Sequence, residues 1–250
     1  MSDDEREFWF TLPKHDAYPP FPGSFEEGER LFLQQLEETG SLDAVNCLIQ
    51  HYRLHRREDL ARPKLEQLIA TAAHLEARAL FYVYLGQSYE RTAEWEAAIE
   101  CYRDAAALEP CGAFAAYYAH NNLAYCLSVL GRHAEAEPLC RLAIRIAPAR
   151  PNAHKNLGLS LQGQGDFAGA ARAWVAATRA NRCDSRSLVL LERLVEVRPQ
   201  LLDEVPGLGD ELDECRRAVA GMLRLYRAAK NGEPDPGEDE PGGGGLERSV

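Results

Sequence analysis

From Phe25 to Tyr226 the apolar residues recur at intervals of three and four, the period of one face of an α-helix. Short clusters containing Gly, Pro, Ser or Asp interrupt them. Ser24, followed by Glu26, Glu27 and then Leu31, Phe32 and Leu36, reads as an N-cap with acids in the first turn, and predicts a helix of roughly Phe25–Glu38 that Gly40 closes. Ser41 opens a second helix with Val45, Leu48, Ile49 and Tyr52 on one face. The stripe Leu65, Leu68, Ile69 and Ala72 predicts a third from Leu60 to Leu75. Toward the other end, Leu188, Leu191, Leu194 and Val195 mark a helix that stops at Pro199. Leu212, Cys215, Val219, Met222, Leu223 and Tyr226 mark another from about Gly209 to Lys230.

Between Ala79 and Asp184 the helical pattern returns on itself. Tyr82-x-x-Leu85-Gly86-x-x-Tyr89, Ala98-x-x-x-Tyr102 and Pro110 make one copy. Leu123-Ala124-x-x-Leu127, Ala136-x-x-x-Cys140 and Pro148 make the second. Leu157-Gly158-x-x-Leu161 and Ala170-x-x-x-Trp174 make the third, with Arg182 where the proline would fall. This spacing resembles three tetratricopeptide repeats, at 79–112, 117–150 and 151–184. The motif residues have a packing reason. Two helices of a hairpin approach closely only where facing residues are small, which places Gly86 against Ala98, Ala124 against Ala136 and Gly158 against Ala170. Tyr89, Tyr102, Leu127, Cys140, Leu161 and Trp174 fill the space beside those contacts, and Ala105, Ala143 and Ala177 admit the next hairpin. Gly131 and Gly165 suit the turn within a hairpin, and Asp166 suits an N-cap. Leu123 to Leu157 is 34 residues but Leu85 to Leu123 is 38. The four extra residues, near Cys111-Gly112-Ala113-Phe114, amount to about one helical turn. They lengthen the start of the second repeat's first helix or widen the loop after Pro110.

The resemblance implies an all-α fold, a right-handed α-solenoid of tetratricopeptide-type helix hairpins with helical caps at both ends. Residues 24–78 supply the N-terminal helices. Leu48, Tyr52, Ala61 and Leu65 fall on repeat spacings there, although Ile49 stands where the close contact wants Gly or Ala. Residues 185–230 supply the C-terminal cap that a solenoid needs over its last apolar face. The resemblance further implies that the first helix of each hairpin lines a concave groove. In this chain those positions are Leu80, Val83, Gln87 and Glu90; Tyr118, Asn121, Tyr125 and Ser128; and Asn152, Lys155, Leu159 and Gln162. Amides among them can bond an extended peptide backbone while tyrosines cover apolar side chains. Tetratricopeptide co-chaperones that grip a C-terminal carboxylate use a Lys/Asn, Asn, Lys/Arg set. Here Val83 and Gln87, Asn122, and Asn152 and Asn156 hold those places, and only Asn122 matches.

Outside the helical pattern, Phe8, Trp9, Phe10, Tyr18 and Phe21 are crowded among Pro13, Pro19, Pro20 and Pro22, which fix φ and disfavour helix before them. Residues 1–23 are therefore expected to be extended and to lie against the solenoid as a cap, with Phe8-Trp9-Phe10 as a built-in ligand that occupies the groove or docks a partner as the alternative. From Asn231 the composition turns to Gly, Pro and acid and predicts a disordered tail over 231–250.

The net charge of −11 sits mostly in these two ends: residues 1–7 carry four acids and one Arg, and residues 231–250 six acids and one Arg. The near-neutral body argues against a nucleic-acid partner. No apolar run approaches the roughly 20 residues of a membrane span, and the acidic start is unlike a leader, so a cytoplasmic location is expected. The seven cysteines form no C-x-x-C pair and read as reduced, mostly core residues. His51-x-x-x-His55 has metal-ligand spacing, but Arg53, Arg56 and Arg57 crowd it, and a solvated basic face is expected instead. Gly163-x-Gly165 precedes no strand pattern and is not a phosphate loop. No catalytic, cofactor or metal constellation emerges. The sequence predicts a non-enzymatic scaffold or adaptor that binds a peptide or helix of a protein partner, with a self-assembling structural repeat or a regulatory subunit as alternatives.

If Trp174 is a core residue of the third repeat, Trp174→Ala should cost about 3–5 kcal/mol, read from denaturant unfolding. An unchanged midpoint would refute its placement.

Overall fold

The computed structural model describes residues 23–108, 112–183 and 185–231. The expectations for residues 1–22, for Pro110 and Cys111, and for 232–250 lie outside the described residues. Twelve helices and no strand occur among the described residues. Helix α1 (Phe25–Thr39) starts with a reciprocal cap: Ser24 Oγ accepts from the Glu27 amide at 3.2 Å, and the Ser24 amide donates to Glu27 Oε2 at 3.0 Å. Gly40, at φ 58°, ends it with an amide bond to Leu36 O. Helix α2 (Leu42–Leu54) is capped by Ser41, whose Oγ accepts from the Ala44 amide. Helix α3 runs Glu58–Thr71, not Leu60–Leu75. Ala72 turns extended, and Leu75 opens α4 (Leu75–Arg91) instead of closing α3.

The chain continues with α5 (Trp95–Ala107), α6 (Gly112–Val129), α7 (His133–Ile146), α8 (Pro151–Gly163) and α9 (Phe167–Ala180). Then come α10 (Ser185–Val197), the single turn α11 (Leu201–Glu204) and the long α12 (Leu208–Asn231). The extra residues of the second repeat enter its first helix, since α6 begins at Gly112 and has 18 residues where α8 has 13. The pairs α4/α5, α6/α7 and α8/α9 pack most extensively, and α4, α6 and α8 also touch in succession. Hairpins stacked in this way form an all-α solenoid.

One turn recurs within the hairpins. In α4/α5, α6/α7 and α8/α9 the amide of the residue just before the second helix bonds back five residues: Glu94 to Tyr89 O at 3.0 Å, Arg132 to Leu127 O at 2.8 Å, Asp166 to Leu161 O at 2.9 Å. The residue before each amide has positive φ: Ala93 at 60°, Gly131 at 75° and Gly165 at 85°. The α2/α3 hairpin closes identically, with Arg57 bonded to Tyr52 O at 2.9 Å and Arg56 at φ 55°. The backbone of residues 42–71 therefore uses the repeat's turn. Ile49, 3% exposed, stands at the close-contact position opposite Ala61 and Leu65, and this pair packs less extensively than the other three.

A continuous core runs from Val83 through Tyr102, Leu127, Cys140, Trp174 and Leu191 to Val219, and a second cluster under α1–α5 is built on Leu48, Tyr52, Leu65 and Phe81. At the first end, α1 covers α2. The Phe25 ring stacks on His51, centroids 5.0 Å apart, and Tyr52 Oη donates to Glu29 at 2.9 Å. At the other end α12 closes α9 and α10 with buried Leu208, Leu212, Cys215 and Val219. Arg179 bridges Glu211 and Glu214 beside them.

The left-handed backbone of Ala93 costs about 1–2 kcal/mol of strain, and glycine costs about 0.5–1 kcal/mol in chain entropy. Ala93→Gly should therefore raise stability by about 0.5–1 kcal/mol, while Gly131→Ala lowers it. A lower denaturation midpoint for Ala93→Gly would show that the turn is unstrained.

Candidate functional site

The site is built from the hairpin contacts. A Cβ on Gly86 would lie 2.6 Å from Tyr102 Cε1, and a Cβ on Gly158 would lie 2.6 Å from Trp174 Cδ1. Each glycine thus lets a large ring from the second helix lie flat on the first. The rings then reach through toward the far face. Tyr102, fully buried, donates from Oη to Glu90 Oε2 at 2.8 Å. Trp174, also fully buried, donates from Nε1 to Lys155 O at 3.1 Å. In the second hairpin Ala124 keeps its methyl, and the register places the smaller Cys140 there; both are fully buried.

That far face is a cleft of about 620 Å³ that crosses α2, α4, α6, α8 and α10, the first helix of each successive hairpin and the helix after them. A polar chain crosses it. Asn122 Nδ2 donates to Tyr102 Oη at 3.4 Å, Asn121 Nδ2 to Asn122 Oδ1 at 2.9 Å, and Asn156 Nδ2 to Asn121 Oδ1 at 3.1 Å. Asn156 is 3% exposed, and its Oδ1 accepts no hydrogen bond from the described residues. Burial pushes the Glu90 carboxyl above its ordinary value, against the Tyr102 hydrogen bond and the nearby Arg91, Arg53 and Lys155. Arg53 is lowered first by burial and then by Arg91. At one end Arg150 donates to Tyr118 Oη at 2.8 Å and lies over the Phe114, Tyr117 and Tyr118 rings.

Of the groove positions read from the sequence, Val83, Gln87, Glu90, Tyr118, Asn121, Tyr125, Asn152 and Lys155 line this cleft. Four do not. Leu80 is buried, Ser128 bonds Ser160 Oγ at 2.9 Å, Leu159 packs against the core, and Gln162 is exposed outside the cleft. The cleft also takes Tyr84, Asn122 and Asn156, one position along from Val83, Asn121 and Lys155, so the stripe is rotated toward that side. It extends one hairpin earlier through Asn46, Gln50 and Arg53 and one helix later through Arg186. With Arg91, these additions make the lining more basic than the sequence reading, which found only Lys155 and Glu90 charged.

Of the His51/His55 pair, His55 is exposed beside Arg53 and Arg56, as expected of a solvated basic face, but His51 is not. His51 is 4% exposed, its Nε2 lies 2.9 Å from Phe25 O, and Phe25 and Phe32 pack around it. No group of three or more His, Cys, Asp or Glu is placed to hold a metal ion among the described residues. Cys47, Cys101, Cys126, Cys140 and Cys215 are buried, and burial pushes Cys101, Cys126 and Cys140 up to about 12. Among the described residues no helix is long and apolar enough to cross a membrane.

Residues 84–151 match the family model described as tetratricopeptide repeat. No curated protein sequence matches the chain. Among solved structures, a crystal structure of MamA aligns with a TM-score of 0.50 at 20% identity, covering 72% of this chain and 95% of that one. A thermophilic TPR protein of Thermus thermophilus aligns with a TM-score of 0.50 at 19% identity, covering 69% of this chain and 91% of that one. At such identity the likeness is one of fold. Together with the repeated turn and the small-to-large helix contacts, the match shows tetratricopeptide repeats within residues 84–151 of an all-α solenoid.

Proposed function

We propose that the chain is a non-enzymatic scaffold that holds an extended segment of a partner protein in the cleft formed by α2, α4, α6, α8 and α10. The observation that carries this reading is the lining itself. Amides, tyrosines and cations from five helices converge on one cleft. A peptide backbone offers alternating donors and acceptors, and the Asn121, Asn122 and Asn152 amides can answer both. Tyr118 and Tyr125 add flat apolar faces for side chains between those bonds. Cys101, Cys126, Cys140 and Cys215 are buried without a disulfide among the described residues, which suits a reducing compartment, and a cytoplasmic location belongs to the same reading.

The groove positions Gln87, Tyr125 and Lys155 are the ones to vary, because none carries a hairpin contact of the kind made by Gly86 or Trp174. A Gln87→Ala/Tyr125→Ala/Lys155→Ala chain should keep its helicity and lose partner recovery about tenfold or more in affinity capture. Arg141→Ala, outside the cleft, should retain recovery. Equal recovery of every partner by the cleft variant would overturn the reading.

A further inference from the structure

The hairpins are not stacked equally. Helix α2 touches α4 less extensively than α4 touches α6 or α6 touches α8. Toward the α1/α2 and α3/α4 connections the difference becomes a pocket of about 570 Å³, lined by Leu36 of α1, Leu42 and Val45 of α2, Leu68 of α3, the extended Ala72, and Phe81 of α4. Leu36, Val45 and Phe81 are buried, and Leu42 is 41% exposed. The polar residues around them, such as Glu37, Gln67 and Thr71, are exposed and keep their water. Close-packed interiors hold few voids larger than a water molecule. An opening of this size lies in the range of pockets that hold drug-sized molecules, and it has room for two ring side chains.

We propose that Phe8-Trp9-Phe10 of this chain fills the pocket, as a wedge between the first two hairpins. Outside the described residues, aromatic side chains occur only at Phe8, Trp9, Phe10, Tyr18 and Phe21. Distance from the point of attachment decides among them. The segment joins α1 at Ser24, and the pocket lies at the far end of that helix, whose 15 residues span roughly 22 Å. Tyr18 and Phe21 stand within six residues of Ser24, a backbone reach of at most roughly 20 Å, whereas Phe10 stands 14 residues away and reaches roughly 45 Å. Pro13, Pro19, Pro20 and Pro22 favour an extended spacer, which reduces the ordering cost. The tether gives the triplet an effective concentration on the order of millimolar, so modest apolar contacts suffice to hold it. The cleft would surround the same rings with buried Asn121 and Asn156, whose hydrogen bonds they cannot return. A filled pocket fixes how α2 leans on α4, and both helices line the cleft. The wedge therefore sets the width of the cleft at that end.

The full chain with the photoreactive p-benzoyl-phenylalanine in place of Phe10 should give a monomeric cross-linked product on irradiation. Fragmentation of its peptides should place the adduct on Leu42, Leu68, Ala72 or the lining residues beside them. Leu42→Glu with Thr71→Glu, both exposed positions of the lining, should keep the helical signal and cut that yield severalfold, because the rings would then meet carboxylates. In the otherwise unaltered full chain Trp9→Ala should lower the thermal midpoint by about 2 °C or more. In the Leu42→Glu/Thr71→Glu chain it should lower the midpoint no further, since the two changes remove the same contact. An adduct that avoids the pocket residues, whether it falls on the cleft, on a second copy or nowhere, would overturn the proposal. An equal effect of Trp9→Ala in both chains, or no effect in either, would overturn it as well. The proposal does not depend on what the cleft binds, which the capture experiment tests separately.

Discussion

The fold depends on how closely the two helices of a hairpin can approach. Where Gly86 and Gly158 offer no side chain, the Tyr102 and Trp174 rings lie directly on the facing helix. Where Ala124 keeps a methyl, Cys140 stands opposite instead of a ring. A missing side chain on one helix is filled by a ring from the other, and a retained methyl faces a smaller residue, as a close-packed interior demands. The α2/α3 hairpin shows the limit of this compensation. Ile49 is large, Ala61 opposite is small, and the helices meet less extensively although their turn is that of the other hairpins.

This contact also connects core to cleft. The two rings cross the hairpin and end in polar atoms that bond the far side of the first helix, Tyr102 to the Glu90 carboxylate and Trp174 to the Lys155 carbonyl. The residues that hold the helices together therefore also set the position of cleft residues. Tyr102 passes this on to the next hairpin, since Asn122 donates to its hydroxyl and Asn121 and Asn156 continue the line. Hydrogen bonds of this kind in a buried setting restrict the register of neighbouring hairpins as well as their distance.

A stack of identical units leaves an apolar face at each end, and this chain closes both with helices that do not follow the repeat. Helix α1 brings aromatic stacking on His51 and a Tyr52 hydrogen bond, whereas α12 brings a row of aliphatic residues flanked by Arg179 and Arg216 ion pairs. Exposed pairs of the latter kind contribute little free energy each, so the aliphatic burial carries the C-terminal closure.

Apart from the bounds of α3, the helix positions, the caps and the three central hairpins were legible in the sequence, because each follows from local rules: period, Ser24 and Ser41 at N-caps, Gly131 and Gly165 in turns, small residues at fixed spacing. Eight of the twelve groove positions were legible for the same reason, as one helix face repeated. What local rules could not reach was decided by packing between distant segments. The left-handed turn at Ala93 and Arg56 has no glycine to announce it, and only the bonds back to Tyr89 and Tyr52 reveal it. The rotation of the stripe toward Tyr84, Asn122 and Asn156, and its extension to Asn46 and Arg53 in a hairpin with a poor repeat signature, depend on how each hairpin leans on the next. That angle is set by side-chain volumes on both partners, and so is the basic character of the cleft. No single segment of sequence carries it.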